Sequence, residues 1–333
     1  MFDLIRMDWG KHLISKLKES PLPIITTFFT PAFMAESFAY PNDIFCVICD
    51  ADISRAWAPV APITSKIKYF APTKRAVERL RSYGVRSESV FLTGYPLPLE
   101  NIGTEKMEIL KNDLSHRILN LDVDGEYRRT YKALIDEHLG KLPEKSDHIL
   151  TLLFSVGGAG AQKEIAIEIL RSLREEIEDG KIKIILSAGT KKEIKEYFEV
   201  GIKRLGMEKY STDKIEIVFA KKTEEYFQKF NQVLRKTDIF WTKPSELSFY
   251  TALGLPVIIA PPVGSQEDFN KEWLLELGSG RPQENPKYVN QWLFDFLKDG
   301  WFAEAAMEGF IEGEKFGTFN IQKIISQNHF PKS

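Results

Sequence analysis

Residues 241–270, WTKPSELSFYTALGLPVIIAPPVGSQEDFN, decide how the rest of the chain is read. An apolar run ends at Trp241 and Thr242, a turn follows, a helical pattern continues to Gly254, and PVIIAPP is a second apolar run. A strand, helix and strand this apolar belong to a parallel sheet covered on both faces. Pro244 is preset for a first helical turn, Ser245 can cap the helix, and Lys243 adds a cation. The same helix end can hold a phosphate-sized anion through its free amides and dipole. Glu246 works against an anion, so capping and anion binding both stand.

The alternation continues outward. HILTLLFSV, KIKIILSAG, KIEIVFA and DIFWTK read as strands, separated by amphipathic helices in QKEIAIEILRSLREEIEDG, KKEIKEYFEVGIKRLG and TEEYFQKFNQVLRK. Earlier strands are expected at 22–29, 43–50, 67–72 and 89–96. TKRAVERLRSYG between the last two has Ala76, Val77 and Leu80 on one face and Gly84 as its stop. Residues 101–147 are polar and helical, and read as a connection with a boundary near KLPEKSD (141–147). The expected fold is α/β, with two Rossmann-like, doubly wound domains. Residues 1–145 form the first, with a helical connection, and 146–295 the second. The aromatic helices of 296–333 are expected to pack back across both.

Totals exclude several classes. The chain has 333 residues, 43% hydrophobic and 28% charged, with a net charge of −2. There is no bulk drive toward nucleic acid, and no basic run with interleaved aromatics. No stretch approaches the roughly 20 apolar residues that span a bilayer. MFDLIRMDWGKHLISKL is amphipathic and lacks a cleavage site, so it is not read as a secretory signal. Cys46 and Cys49 form a C-x-x-C inside a strand-like run, where side chains three apart point to opposite faces. They read as structural thiols. The five histidines show no ligand spacing, and no metal is expected. Reduced cysteines make the cytoplasm the expected compartment, with peripheral attachment to a membrane left open.

Four stretches can carry chemistry. SVGGAGAQ (155–162) lies between a strand and a helix, where Gly157, Gly158 and Gly160 allow close approach of a ligand or simply a tight turn. The helix start at Lys243, Ser245 and Glu246 is the second. PPVGSQEDFN (261–270) follows a strand with Gln266, Glu267 and Asn270, which suit a hydroxyl-rich ligand or cap the next helix. Asp50, in CDADISRAWAP, is a general base or an Asx-turn.

Together these stretches resemble GT-B glycosyltransferases of the type that forms lipid II or monogalactosyldiacylglycerol, with a glycosyltransferase family 28 C-terminal-like second half. VGGAGAQ is similar to the family's glycine-rich turn. DIFWTKPSELSFYTALGLPVIIAPPVGSQEDFN is similar to its "T-K-x-G … E-A-L-x-x-G-L-P … Q-E-x-x-N" region. In the first half, KYFAPTKRAVERLRSYGVRSESVFLTGYPLP and IFCVICDADISRAW resemble acceptor-domain strands. The resemblance implies transfer of a hexose from a nucleotide-diphosphate sugar, the only small-molecule partner besides an unknown acceptor, a lipid or cell-envelope sugar. It implies no cofactor and no metal. Gly157, Gly158, Gly160 and Ser245 would border the diphosphate, Gln266, Glu267 and Asn270 the sugar, and Ala220 the base. Departures favour a second reading, a non-catalytic nucleotide-, sugar- or partner-binding protein. Phe249 stands where the family places a ribose-binding glutamate, with Glu246 a partial substitute. Ser245 stands where the family has glycine. About 100 residues of the usual acceptor domain, including its glycine-rich loop, are not found. A partner chain covering the shortened sheet is therefore expected. A nucleotide-sugar epimerase, which shares the twin-domain fold, is the weaker alternative.

Overall fold

In the computed structural model, which describes residues 1–155, 160–211 and 213–329, the chain divides into two units. Unit 1 comprises Met1–Leu97 and Glu314–Ser333, and unit 2 comprises Pro98–Gly313. Residues 98–145, read above with the first domain, thus lie in unit 2. The tail is shared: helices Val289–Lys298 and Trp301–Glu312 belong to unit 2, and Gly317–His329 to unit 1.

Unit 1 holds a four-stranded parallel sheet in the order β1 (Ile24–Thr26), β2 (Ile44–Val47), β3 (Ile67–Ala71) and β4 (Val90–Leu92). Alternation along β2 sorts its side chains to two faces. Ile44 and Cys46 join a core with Phe33, Tyr69, Ala76 and Leu80. Phe45 and Val47 join Phe70 under Ile321, Ile324 and Ile325 of the tail helix. Helix Lys74–Ser82 forms as its sequence dictates. Thr73 caps it by accepting from the Ala76 amide at 3.1 Å, Ala76, Val77 and Leu80 are buried, and Gly84 ends it at φ +91°.

Unit 2 holds a six-stranded, all-parallel sheet. Its strands are β5 (Thr151–Ser155), β6 (Lys183–Gly189), β7 (Ile215–Phe219), β8 (Ile239–Thr242), β9 (Val257–Ile259) and β10 (Gly280–Pro282), in the order β10-β9-β8-β5-β6-β7. β5 and β8 are fully buried, which explains their apolar middles, residues 152–154 and 239–241. The helix expected after Thr242 is a 3₁₀ helix, Glu246–Leu253, ended by Gly254 at φ +68°. The pair of parallel-sheet units is the Rossmann-like twin architecture expected from the sequence.

Candidate functional site

The strand order of unit 2 singles out one edge of the sheet as the candidate site. After β7 the chain crosses to the other side of β5, so the direction of winding reverses between β5 and β8. Ligands of open parallel sheets bind in the crevice that such a reversal opens at the carboxyl ends of the strands. Ser155 ends β5 and Thr242 ends β8, and the two are paired in register, with Ser187 of β6 paired to Ser155 on its other side. All three are buried. Thr242 Oγ1 donates to the Ser155 carbonyl at 3.4 Å, and Tyr226 on helix Thr223–Leu234 meets Ser187 Oγ at 2.8 Å. The strand ends thus carry a row of hydroxyls where a parallel sheet would otherwise carry Val or Ile. Tyr226, Ser187 and Thr242 were not singled out from the sequence, because only the register reveals that they adjoin.

Each turn after these strands carries residues expected from sequence. Gly157 and Gly158 lie outside the described residues. Gly160 has φ +74°, and a Cβ there would sit 2.6 Å from Ile194 Cδ1, so glycine answers both backbone and space. Gln162, also left-handed at φ +65°, precedes helix Lys163–Ser172 and donates through Nε2 to the Pro261 carbonyl at 2.7 Å. It ties the turn after β5 to the loop after β9, a role that its place in a glycine-rich motif did not disclose. Ala220, after β7, is buried, and its amide donates to the Gly189 carbonyl at 3.3 Å.

At the helix start after β8, Ser245 accepts from the Leu247 amide at 3.4 Å, the capping role. Its φ is −123°, so the backbone there does not require glycine. Glu246 is exposed. Phe249 is buried and its ring lies 5.0 Å from that of Trp273. The position where the family carries a ribose anchor is thus core in this chain.

The loop after β9 leads into helix Ser265–Glu276. Asn270 is fully buried, and Nδ2 donates to the Pro244 carbonyl at 3.5 Å, which pins the loop's helix to the turn after β8. Glu267 is buried too. It pairs with Lys243 and accepts from the Val263 amide at 2.7 Å. Its carboxylate, expected to face sugar hydroxyls, engages the protein itself. Lys243, expected to face phosphate, is the partner. Gln266 remains exposed.

Asp50 lies in unit 1, three residues past β2, and is half-buried. The nearby Asp52 is buried and holds Arg75 Nε at 2.7 Å, Arg79 Nε at 3.0 Å and the Ile53 amide at 2.7 Å, a structural clamp. Cys46 is buried, and burial pushes its thiol well above the ordinary range, as befits an inert core residue. Among the described residues, no group of His, Cys, Asp or Glu is arranged to hold a metal ion, and no helix is long and apolar enough to cross a membrane.

Comparison with known proteins agrees on the fold. A family model described as a domain of unknown function (DUF6938) matches residues 143–230. No curated protein sequence matches the chain significantly. Among solved structures, the chain is similar to a candidate UDP-N-acetylglucosamine 2-epimerase from Listeria monocytogenes, at 12% identity and a TM-score of 0.60, over 97% of this chain and 80% of that one. It is similar to UDP-GlcNAc 2-epimerase from Neisseria meningitidis bound to UDP-GlcNAc, at 11% identity and 0.55, over 97% and 81%. It is also similar to MurG of Acinetobacter baumannii, at 14% identity and 0.54, over 96% and 76%. The two parallel-sheet units are those of a GT-B fold.

Proposed function

We propose that the protein binds a nucleotide-diphosphate sugar at the carboxyl edge of the unit 2 sheet and transfers its hexose to an acceptor. The observation that supports this most is the reversal of winding between β5 and β8, beside which Gln162 and Asn270 tie the start of helix Lys163–Ser172, the turn after β8 and the loop after β9 together. Gly160 and the start of helix Lys163–Ser172 offer amides to the diphosphate. Ser245 adds a hydroxyl, Ala220 a carbonyl to the base and Gln266 an amide to the sugar, while Asn270, buried on the Pro244 carbonyl, holds the helix that carries Gln266. Gly157 and Gly158 keep the role that the resemblance implies. In transfer, the bond from the anomeric carbon to the phosphate oxygen breaks as the acceptor hydroxyl forms its own, and the diphosphate leaves with the electron pair. The acceptor's proton goes to a base, for which Asp50 is our candidate. Acceptors of lipid or cell-envelope type would place the protein in the cytoplasm, at the membrane surface.

A second reading, epimerisation of a UDP-sugar, is supported by the epimerases among the similar structures. One experiment separates the two. The purified chain is incubated with a panel of UDP- and GDP-hexoses and followed by NMR. Release of nucleoside diphosphate with loss of the sugar ester supports transfer or its hydrolytic side reaction. Inversion at the sugar's C2 without release supports epimerisation. Nucleotide-sugar binding with neither change leaves a binding protein, and no binding by calorimetry overturns the site.

A further inference from the structure

The turn after β8 and the loop after β9 have an unusual charge balance for a diphosphate site. Residues 243–247 and 261–268 carry one cation, Lys243, against Glu246, Glu267 and Asp268. Glu267 also removes Lys243 from service. It is 4% exposed, stands in the first turn of its helix, and closes both an ion pair with Lys243 and a hydrogen bond from the Val263 amide. The Lys243 side chain is itself only 19% exposed, so water screens the pair little. A helix-capping glutamate needs only the amide. Directing its second oxygen to the lysine beside the strand ends has a different consequence: it sets the charge that an incoming ligand meets.

We infer that Glu267 is a specificity-determining residue that selects the ligand by charge. It neutralises Lys243, so that the site prefers a nucleotide-diphosphate sugar to the free nucleoside diphosphate. This rests on the reading given under Proposed function. The free diphosphate carries more negative charge than its sugar ester, because its terminal phosphate keeps a second ionisable oxygen. With Lys243 held by Glu267, that added charge meets Glu246 and Asp268 on these two turns without a free cation from either turn. The sugar ester carries less charge and offers hydroxyls to neighbouring amides. After transfer, the same repulsion hastens departure of the diphosphate product.

The test compares dissociation constants for UDP and a UDP-hexose by calorimetry in wild type, Glu267→Gln and the double variant Glu267→Gln/Lys243→Gln. Glutamine keeps an acceptor for the Val263 amide and removes the charge. Wild type is expected to bind the sugar ester more tightly than UDP. Glu267→Gln should tighten UDP by about tenfold, more than it tightens the ester, and give UDP binding a new salt dependence. The double variant should lose that gain. Equal or weaker UDP binding by a folded Glu267→Gln overturns the inference, as does a gain that survives loss of Lys243. If Glu267→Gln does not fold, wild type still decides, since UDP binding tighter than the ester also overturns it. Both outcomes leave the nucleotide-sugar reading intact. Wild type that binds neither ligand removes that reading and this inference together.

Discussion

The two edges of the unit 2 sheet bury polar groups in opposite ways. At the amino edge, where β5 and β8 begin, titratable side chains are closed on one another and on the backbone. Asp238 takes the Thr151 amide at 2.7 Å, Asn120 Nδ2 at 3.0 Å and His148 Nε2 at 3.1 Å. Arg117, from helix Glu108–Leu121, donates to the carbonyls of Leu234, Thr237, Leu253 and Gly254 at 2.7–3.3 Å. These groups close chain ends that would otherwise stay unpaired. At the carboxyl edge the buried groups are hydroxyls and amides, and the charges form one pair, Lys243 with Glu267. A buried charge cluster with shifted titration is a common sign of a functional site. Here it lies at the amino edge, while the proposed ligand site lies at the other.

The sharpest way to break this contrast is to damage each edge and ask which property fails. Phe249→Glu carries the largest expected effect. It removes a ring packed on Trp273 and leaves a carboxylate in the core, at a cost of about 4–5 kcal/mol by urea denaturation. The substitution introduces the residue that the resemblance to GT-B glycosyltransferases would place at this position, yet it should confer no tighter UDP binding. Tighter binding by a stable variant would show that the position faces the crevice after all. Arg117→Met follows, at about 3–4 kcal/mol, because four buried carbonyls lose the guanidinium as donor, though that of Leu234 keeps a backbone one, the Thr237 amide. Once allowance is made for the unfolded fraction, its affinity for a nucleotide sugar should equal that of wild type. An affinity loss beyond that fraction would join the two edges.

The contrast also shows what the sequence could disclose. Strands were legible because a parallel strand buried on both faces is apolar along its middle, as LLF (152–154) and IFW (239–241) are. The helix Lys74–Ser82 was legible from its cap, its apolar face and Gly84. Glycine at 160 was legible because its backbone is left-handed. Polar partnerships were not. Glu267 in a loop can equally face a sugar or a lysine 24 residues away, and only the fold brings Lys243 to it. The roles of Arg117 and His148 were hidden for the same reason: residues 101–147 read as connection, His148 stood at the head of a strand run, and partners such as Leu253 and Asp238 lie far along the chain. The unit boundary near Leu97 was missed because the helix Glu108–Leu121 is polar in pattern, although Leu110, Leu114, Ile118 and Leu121 on it are buried.

His148 gives the amino edge a pH signature. Burial works to lower its pKa, but hydrogen bonds and charge from Asp238 and Asp147 outweigh burial and leave it raised. A histidine raised in the folded state stabilises fully below its unfolded value of about 6.5, and that stability is lost as pH rises through the folded value. Asp147 shifts the other way: burial raises it, but His148, His116 and Lys236 leave it lowered. Its contribution is lost at acid pH. Unfolding free energy should therefore decline as pH rises above about 6.5, and His148→Gln, costing about 1–2 kcal/mol at pH 6, should flatten that decline. An unchanged slope in the variant would move the titration to another group.

Gly160→Ala has the smallest expected effect on stability and the most diagnostic effect on binding. A methyl group at φ +74° strains the backbone and presses on Ile194 Cδ1, but that atom ends a flexible side chain and can move. The cost should be about 1 kcal/mol, seen as a small drop in melting temperature. A ligand that approaches the turn's backbone would meet the same methyl, with no freedom to give way. Affinity for a nucleotide sugar should fall about tenfold or more, out of proportion to the change in stability. Arg117→Met and Gly160→Ala thus predict opposite pairings of stability and affinity. If Gly160→Ala binds as wild type does, the turn after β5 serves packing alone, and the carboxyl edge loses the element nearest the proposed diphosphate.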